Sequence, residues 1–115
     1  MVGPVLRGEV RWGDLDPVVG HDQAGTRPVL VVQNDAGNAV SPTVIVVAIT
    51  SQRPRRDYPF LVTLPARTLS LPSVVNCSQV RTVDTSRLSA EPIATLSLET
   101  MAAVDDALRV SLGLY

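Results

Sequence analysis

Residues 43–50 constrain the fold more than any other part of the chain, because they read Thr-Val-Ile-Val-Val-Ala-Ile-Thr without a polar interruption. Branched apolar side chains favour extended strands. A strand with one solvent-exposed face would alternate apolar and polar residues, and this run does not alternate. It therefore predicts a strand covered on both faces, at the centre of a small barrel or of a dimer.

Four further segments have the composition of strands and are separated by turn-forming residues. The intervening loops are rich in Asp, Pro, Gly and Asn, above all at 14–26 and 33–38. Pro28 can open a strand because it lacks a backbone N–H to pair. The predicted strands cover residues 7–12, 29–32, 60–64 and 73–80.

One segment has the periodicity of an amphipathic helix. Apolar side chains recur every three or four positions from Leu98 to Leu112. Ser97 is a preferred N-cap residue, and Gly113 is well placed to end the helix. Strands followed by one closing helix predict a mainly β fold, a small barrel with a helix packed on it. Residues 1–115 are expected to form a single domain.

The composition excludes several classes of site. A single cysteine, Cys77, rules out an intrachain disulfide and a cysteine-only zinc site. With His21 as the only histidine, we expect no protein-built metal centre and no cofactor. The longest apolar run is too short to span a bilayer, and no secretory signal is recognised, so the sequence predicts a cytoplasmic protein without membrane contact.

Positive charge is concentrated in the middle of the chain. All ten basic residues are arginines, and residues 51–90 hold six of them against two acids. Residues 91–115 carry one arginine against four acids. A basic middle suits an anionic ligand, although a solvated loop explains the arginines at 53, 55 and 56 about equally well.

Arg27 lies between a polar loop and an apolar strand. Its planar guanidinium matches phosphate geometry, and its position at a strand start would fix its direction. The preceding loop carries His21 and Asp22. The pattern fits a phosphate-handling site, and the alternative is an arginine that is solvated or paired with an acid.

Several motifs occur together in the order of one known family. They are Arg7-Gly8-Glu9-Val10, Asp14-Leu15-Asp16-Pro17, residues 25–35, residues 43–51, residues 58–60, residues 79–84 and residues 112–114. On these motifs the chain resembles the MazF/PemK family of toxin endoribonucleases from type II toxin–antitoxin pairs. Where the family often reads Ser-Glu-Gln-Gly-Gly, this chain has His-Asp-Gln-Ala-Gly at 21–25, which affects the expected RNA preference more than the activity.

The resemblance implies an SH3-like barrel that forms a homodimer. It implies sequence-selective, metal-independent cleavage of single-stranded RNA to a 2′,3′-cyclic phosphate and a 5′-hydroxyl. The family's catalytic arginine falls on Arg27 and its catalytic threonine on Thr50. The implied RNA-binding residues are His21, Asp22, Gln23, Ser51, Gln52, Arg53 and Gln79. The implied partner is a MazE-like antitoxin whose C-terminal segment occupies the RNA groove.

Some assignments stay open at the level of sequence. The group that moves the proton is Arg27, His21 or Asp22. A rival function is that of a CcdB-like toxin that binds DNA gyrase without catalysis, although the chain ends Leu-Gly-Leu-Tyr and lacks that family's Trp-Gly-Ile ending. Another is an inactive barrel that binds RNA or an antitoxin.

Three other residue predictions can be compared with the structure. Trp12 is expected in the core. Arg81, Asp84 and Arg87 are expected to form an internal ion-pair network. Cys77 is expected to be a buried, inert small side chain.

Overall fold

The structure is a computed structural model that describes residues 4–16, 25–52 and 54–114. Its strands are β1 (Glu9–Asp14), β2 (Thr26–Val31), β3 (Thr43–Thr50), β4 (Leu61–Thr63), β5 (Val74–Asp84) and β6 (Ala94–Thr95). Its helices are α1 (Asp35–Val40) and α2 (Leu98–Leu112), with a 3₁₀ turn at Thr85–Arg87. The strands form one sheet in the order β4-β5-β3-β2-β1-β6, and neighbouring strands are antiparallel.

Strand β3 lies inside the sheet, between β2 and β5. Four consecutive residues of β3, from Val46 to Ile49, are buried. Consecutive residues point to opposite faces of a sheet, so a buried run of this kind requires cover on both sides. The prediction of a central strand covered on both faces is confirmed for this part of β3.

Two groups of buried side chains provide that cover. On one face Val10, Leu30, Val47, Ile49, Val75 and Cys77 pack with Met101, Val104 and Ala107 of α2. A second cluster contains Val29, Val31, Val44, Val46 and Val83, together with Val5, Leu15 and Leu88. Successive residues of β2 and β3 contribute alternately to the two clusters, as the strand period requires.

Helix α2 has the predicted boundaries. The Ser97 side chain accepts a hydrogen bond from the Thr100 backbone N–H at 3.1 Å, and Gly113 ends the helix with a φ of 69°. Glycine adopts this left-handed conformation without a Cβ clash. Leu98 and Leu112, at the two ends of the apolar stripe, are exposed. Only the middle of the stripe, between Met101 and Leu108, packs on the sheet.

The structure departs from the predicted elements in several places. The turn-rich segment contains helix α1, whose N-cap Asn34 accepts from the Gly37 N–H at 2.7 Å. Strand β4 is shorter than predicted, and β5 continues to Asp84. The two-residue strand β6 and the 3₁₀ turn were not predicted, because elements this short have no detectable periodicity. The mainly β fold with a C-terminal helix is confirmed.

Candidate active site

Arg27 of β2 and Thr50 of β3 each lie two residues beyond the last paired position of these neighbouring strands. Val29 of β2 lies opposite Ala48 of β3, and continuing this antiparallel register by two residues brings Arg27 opposite Thr50. Each is two residues from a paired position, so both belong to the same face of the sheet. Residues directly opposite each other in an antiparallel pair have Cβ atoms about 4.5–5.5 Å apart. The backbone therefore supports the pairing that the family resemblance implies.

Thr50 is half-buried at the end of β3. Its Oγ1 accepts a hydrogen bond from the Gln52 backbone N–H at 3.1 Å. A hydroxyl can accept and donate at the same time. The Thr50 hydroxyl can therefore donate its hydrogen to a ligand oxygen while its Oγ1 accepts from Gln52 and orients the following turn.

A cleft of about 770 Å³ runs across the ends of β2 and β3. Thr26, Arg27 and Pro28 are consecutive in β2 and all three line the cleft. Because consecutive residues of a strand point to opposite faces, the cleft crosses the strand ends and does not follow one face of the sheet. Thr50 does not line it, although both of its chain neighbours do. The strand side of the cleft consists of Thr26, Arg27, Pro28, Ile49 and Ser51, and the facing loop contributes residues 67–71 and Ser73.

Trp12 is an exposed part of this cleft, so the prediction that it lies in the core is wrong. The residue is 45 % exposed and lies opposite Pro28, near the end of β1. Helix α2 contacts β4 and β5, and none of its residues lines this cleft. The apolar part of the cleft lining includes Trp12, Ile93 and Leu71. Aromatic residues make up 3 % of the chain, and this scarcity is a sequence signal that could have singled out Trp12.

A second cleft, of about 1240 Å³, adjoins the first and shares five lining residues with it, namely Ser51, Arg67, Leu69, Ser70 and Ser73. Its other charged residues are Arg55, Arg56 and Asp57. With Arg27, the described lining of the two clefts holds four arginines and one carboxylate. The chain as a whole has a net charge of −1, so positive charge is concentrated here. Such a surface attracts a polyanion.

The structure brings some of the predicted RNA-binding residues to this end of the sheet. Ser51 is exposed and lines both clefts, and Gln52 is exposed beside it. Gln79 is half-buried on β5, in the bulge where residues 77–79 have no partners on β3. His21, Asp22, Gln23 and Arg53 lie outside the described residues. The RNA contacts of all seven residues stay predictions.

The two ends of the polar loop at 14–26 are held together. The Leu15 N–H donates to the Gly25 carbonyl at 3.0 Å, and the Gly25 N–H donates to Asp16 Oδ1 at 3.0 Å. Arg81 Nη1 donates to the Leu15 carbonyl at 2.6 Å, and Arg87 Nη1 donates to the Asp16 carbonyl. Both ends of the loop are therefore fixed next to Arg27.

These contacts correct the predicted ion-pair network of Arg81, Asp84 and Arg87. Both guanidinium groups donate to backbone carbonyls, and Asp84 Oδ1 instead accepts from the Ser86 N–H at 2.9 Å. That hydrogen bond is the main reason the pKa of Asp84 is lowered, with a smaller contribution from the charge of Arg87. Loop carbonyls that lack a backbone partner compete with carboxylates for the N–H donors of arginine. The spacing of residues in the sequence does not show which carbonyls these are.

Cys77 is fully buried, as predicted, and burial raises the pKa of its thiol to about 11. The described ranges contain no group of three or more His, Cys, Asp or Glu side chains placed to hold a metal ion. Within the same ranges no helix is long and apolar enough to cross a membrane.

Comparison with known proteins agrees with the motifs and the fold. Residues 6–112 match the family of PemK-like, MazF-like toxins of type II toxin–antitoxin systems. Endoribonuclease EndoA of Bacillus subtilis is 47 % identical over 112 residues, which cover 96 % of this chain and 96 % of that protein.

Solved structures agree as well. MazF from Deinococcus radiodurans superposes with a TM-score of 0.83 at 32 % identity, over 96 % of this chain and 98 % of that one. An endoribonuclease from a mycobacterial species, solved in complex with its cognate antitoxin, gives 0.81 at 29 % identity over 96 % and 97 %. The family resemblance is thereby confirmed, and the chain belongs to the PemK-like, MazF-like toxins of type II toxin–antitoxin systems.

Proposed function

We propose that this toxin is a sequence-selective endoribonuclease that cleaves single-stranded RNA, with Arg27 and Thr50 acting on the scissile phosphate. The observation that carries the proposal is the register of β2 and β3, which, continued by two residues beyond Val29 and Ala48, would bring Arg27 opposite Thr50 at the edge of a basic cleft. The relatives named endoribonucleases support the activity.

The proposed reaction is an internal transesterification. The ribose 2′-oxygen attacks the adjacent phosphorus, the bond from phosphorus to the 5′-oxygen breaks, and a 2′,3′-cyclic phosphate and a 5′-hydroxyl result. The 2′-hydroxyl loses a proton to a base, and the leaving 5′-oxygen gains one. Because the nucleophile belongs to the substrate, no metal is needed to activate a water molecule.

Arg27 and Thr50 are proposed to stabilise the charge that develops on the non-bridging oxygens. The guanidinium contributes a fixed positive charge and paired donors, and the threonine contributes its hydroxyl hydrogen. A preorganised donor of this kind is worth on the order of 3 kcal/mol in the transition state. Half-burial of both residues strengthens the effect, since water screens their charges and dipoles less.

The base is one of three groups. An arginine with a pKa of about 12 or above is a poor base at neutral pH, so Arg27 fills this role only if its environment lowers that value. His21 has an unperturbed pKa near neutrality, and Asp22 is its neighbour in the sequence. The pH–rate profile of His21→Ala tests the histidine: if the rate no longer changes with pH near neutrality, His21 is the base, and an unchanged profile excludes it.

The proposed assembly is a cytoplasmic homodimer that is inhibited by a MazE-like antitoxin. The basic clefts would accept an acidic, partly apolar C-terminal segment of that antitoxin in place of RNA. The mycobacterial relative solved with its cognate antitoxin supports such a partner.

Incubation of the purified protein with a long mixed-sequence RNA in EDTA tests the activity. We expect discrete fragments with cyclic phosphate and 5′-hydroxyl ends, and we expect Arg27→Ala to fold normally and cut at least 100-fold more slowly. Arg109→Ala, which removes an exposed arginine on α2, is the matched control. Intact RNA together with inhibited DNA gyrase would instead establish the gyrase-binding alternative, and intact RNA with active gyrase the inactive barrel.

A further inference from the structure

We infer that Arg67 is an RNA-binding residue that holds a second backbone phosphate of the substrate, across the cleft from Arg27. This inference rests on the proposed endoribonuclease function and adds a contact to it. Arg67 belongs to the loop between β4 and β5, which forms the wall of the cleft that faces the ends of β2 and β3.

The backbone of Arg67 has an unusual conformation for an arginine. Its φ is 68°, and no other non-glycine residue in the described ranges has a positive φ. The turn is closed by the Thr68 N–H and by the Thr68 hydroxyl, which donate to the Pro65 carbonyl at 3.2 and 2.8 Å. Arg67 occupies the third position of this turn, where a type II turn calls for positive φ and glycine is the usual residue.

Glycine would form this turn without strain, so the turn does not explain the arginine. Strained residues of this kind are concentrated at functional sites, where the side chain has a use that offsets the strain. Among the described residues, the Arg67 side chain forms no ion pair and no side-chain hydrogen bond. Its guanidinium therefore has no structural role that would account for its presence.

The position and charge of Arg67 indicate what it binds. Arg67 is exposed and lines both clefts, so it stands where the two clefts join. The described lining of the first cleft contains two arginines, Arg27 and Arg67, and no carboxylate. A guanidinium without an acidic partner in such a place is suited to a phosphate. A strand bound with its scissile phosphate at Arg27 would pass Arg67 on its way into the second cleft.

A phosphate away from the bond that breaks has the same charge in the ground state and in the transition state. A contact to it therefore strengthens binding without accelerating the chemical step. Loss of Arg67 should raise KM and leave kcat nearly unchanged, whereas loss of Arg27 should lower kcat. This division separates the two arginines experimentally.

Arg67→Gly is the sharpest test, because glycine removes the guanidinium and also relieves the backbone strain of the turn. With an RNA oligonucleotide that spans a mapped cleavage site, we expect KM to rise about tenfold. We expect kcat to stay within about twofold, and the melting temperature to be equal or higher. The slope of log(kcat/KM) against log[salt] should become shallower by about 0.7, the value for one phosphate contact on a single strand. Arg67→Asn tests the same loss with a residue that tolerates left-handed backbone.

Arg109→Ala is the control for loss of one positive charge, and it should change neither KM nor the salt slope. The inference is overturned if Arg67→Gly and Arg67→Asn keep the KM and salt slope of the parent protein, or if they lower kcat with KM unchanged. If the parent protein cuts no RNA, the proposed function fails by itself. Fluorescence anisotropy with an end-labelled single-stranded RNA then judges Arg67 separately: equal affinity of parent and variant overturns the inference, and weaker binding by the variant supports it.

Discussion

Glu9 and Arg11 form an ion pair of 2.9 Å on β1, and both side chains are almost excluded from water. Glu9 Oε1 also accepts a hydrogen bond from the Leu6 N–H at 2.8 Å. Arg11 Nη1 donates to the carbonyls of Ser89 and Ala90 at 2.9 and 2.8 Å. One buried pair therefore holds together the chain before β1, β1 itself, and the connection that leads to β6.

Glu9→Ala should destabilise the protein by about 3–5 kcal/mol, because it leaves a buried guanidinium without its counter-charge. The double variant Glu9→Ala/Arg11→Leu should lose less than the sum of the two single variants, since it removes both charges. Urea unfolding followed by circular dichroism measures all three free energies. A loss below about 1 kcal/mol for Glu9→Ala would show that the pair behaves as a surface salt bridge.

Thr50 variants should separate the hydroxyl from the shape of the side chain. Thr50→Ser keeps both the proposed donor and the acceptor for the Gln52 N–H, so RNA cleavage should stay within about tenfold of the parent rate. Thr50→Val keeps the shape and loses both, so kcat should fall by about 10²–10³-fold, as for loss of one preorganised donor. Equal rates for the two variants in single-turnover cleavage assays would remove Thr50 from the mechanism.

Ser97→Ala should weaken α2 without affecting RNA cleavage. The Ser97 hydroxyl satisfies the Thr100 N–H at the first turn, and loss of such an N-cap costs about 1 kcal/mol. For a chain of this size, that loss lowers the melting temperature by roughly 4–8 °C. Ser111→Ala, in the last turn of the same helix, is the control and should leave the melting temperature nearly unchanged. A similar loss in the control would show that α2 does not depend on this cap.

Cys77 should make stability depend on pH only in alkaline solution. Burial raises the pKa of its thiol from 9.0 to about 11, so between these values the unfolded chain loses a proton that the folded chain keeps. The contribution to stability is therefore fully present below pH 9 and is lost as pH rises towards 11. The free energy of unfolding of Cys77→Ala, compared with that of the parent between pH 7 and 11, should lack this decline.

The buried thiol also predicts slow chemistry in the folded state. Thiolate is the reactive form, and a buried thiol with a raised pKa supplies little of it at pH 8. We expect Cys77 to react with a thiol reagent such as iodoacetamide only after unfolding in urea. Rapid labelling of the folded protein would show that the surrounding core opens readily.

The strongest sequence patterns predicted the corresponding elements well. The uninterrupted apolar run predicted the central strand β3, and the spacing of apolar residues with Ser97 and Gly113 predicted the ends of α2. Helix α1 was missed because it is six residues long and contains turn-forming residues. Its N-cap, Asn34, is also a preferred turn residue, so the local chemistry allowed both outcomes.

The candidate site, like the fold, could be predicted from the sequence only in part. The motif around Arg27 and the family resemblance singled out Arg27 and Thr50 from sequence alone. Trp12 and Arg67 were not recognised as cleft residues, because one looked like a core residue and the other like an ordinary loop arginine. Their places depend on which side chains the fold brings to the cleft and on a turn with positive φ, and neither has a sequence period.

The sequence alone determined the central strand, the closing helix, the family and the two residues proposed to act on RNA. These features follow from local propensity, side-chain periodicity and motif order, which are properties of neighbouring residues in the chain. Only the tertiary structure decided that β2 and β3 pair in the register that ends at Val29 and Ala48, two residues before Arg27 and Thr50. It also decided that Arg81 and Arg87 donate to loop carbonyls and that four arginines line two adjoining clefts. These relationships join residues far apart in the sequence. Their geometry follows from strand register and packing, which are set by the whole fold.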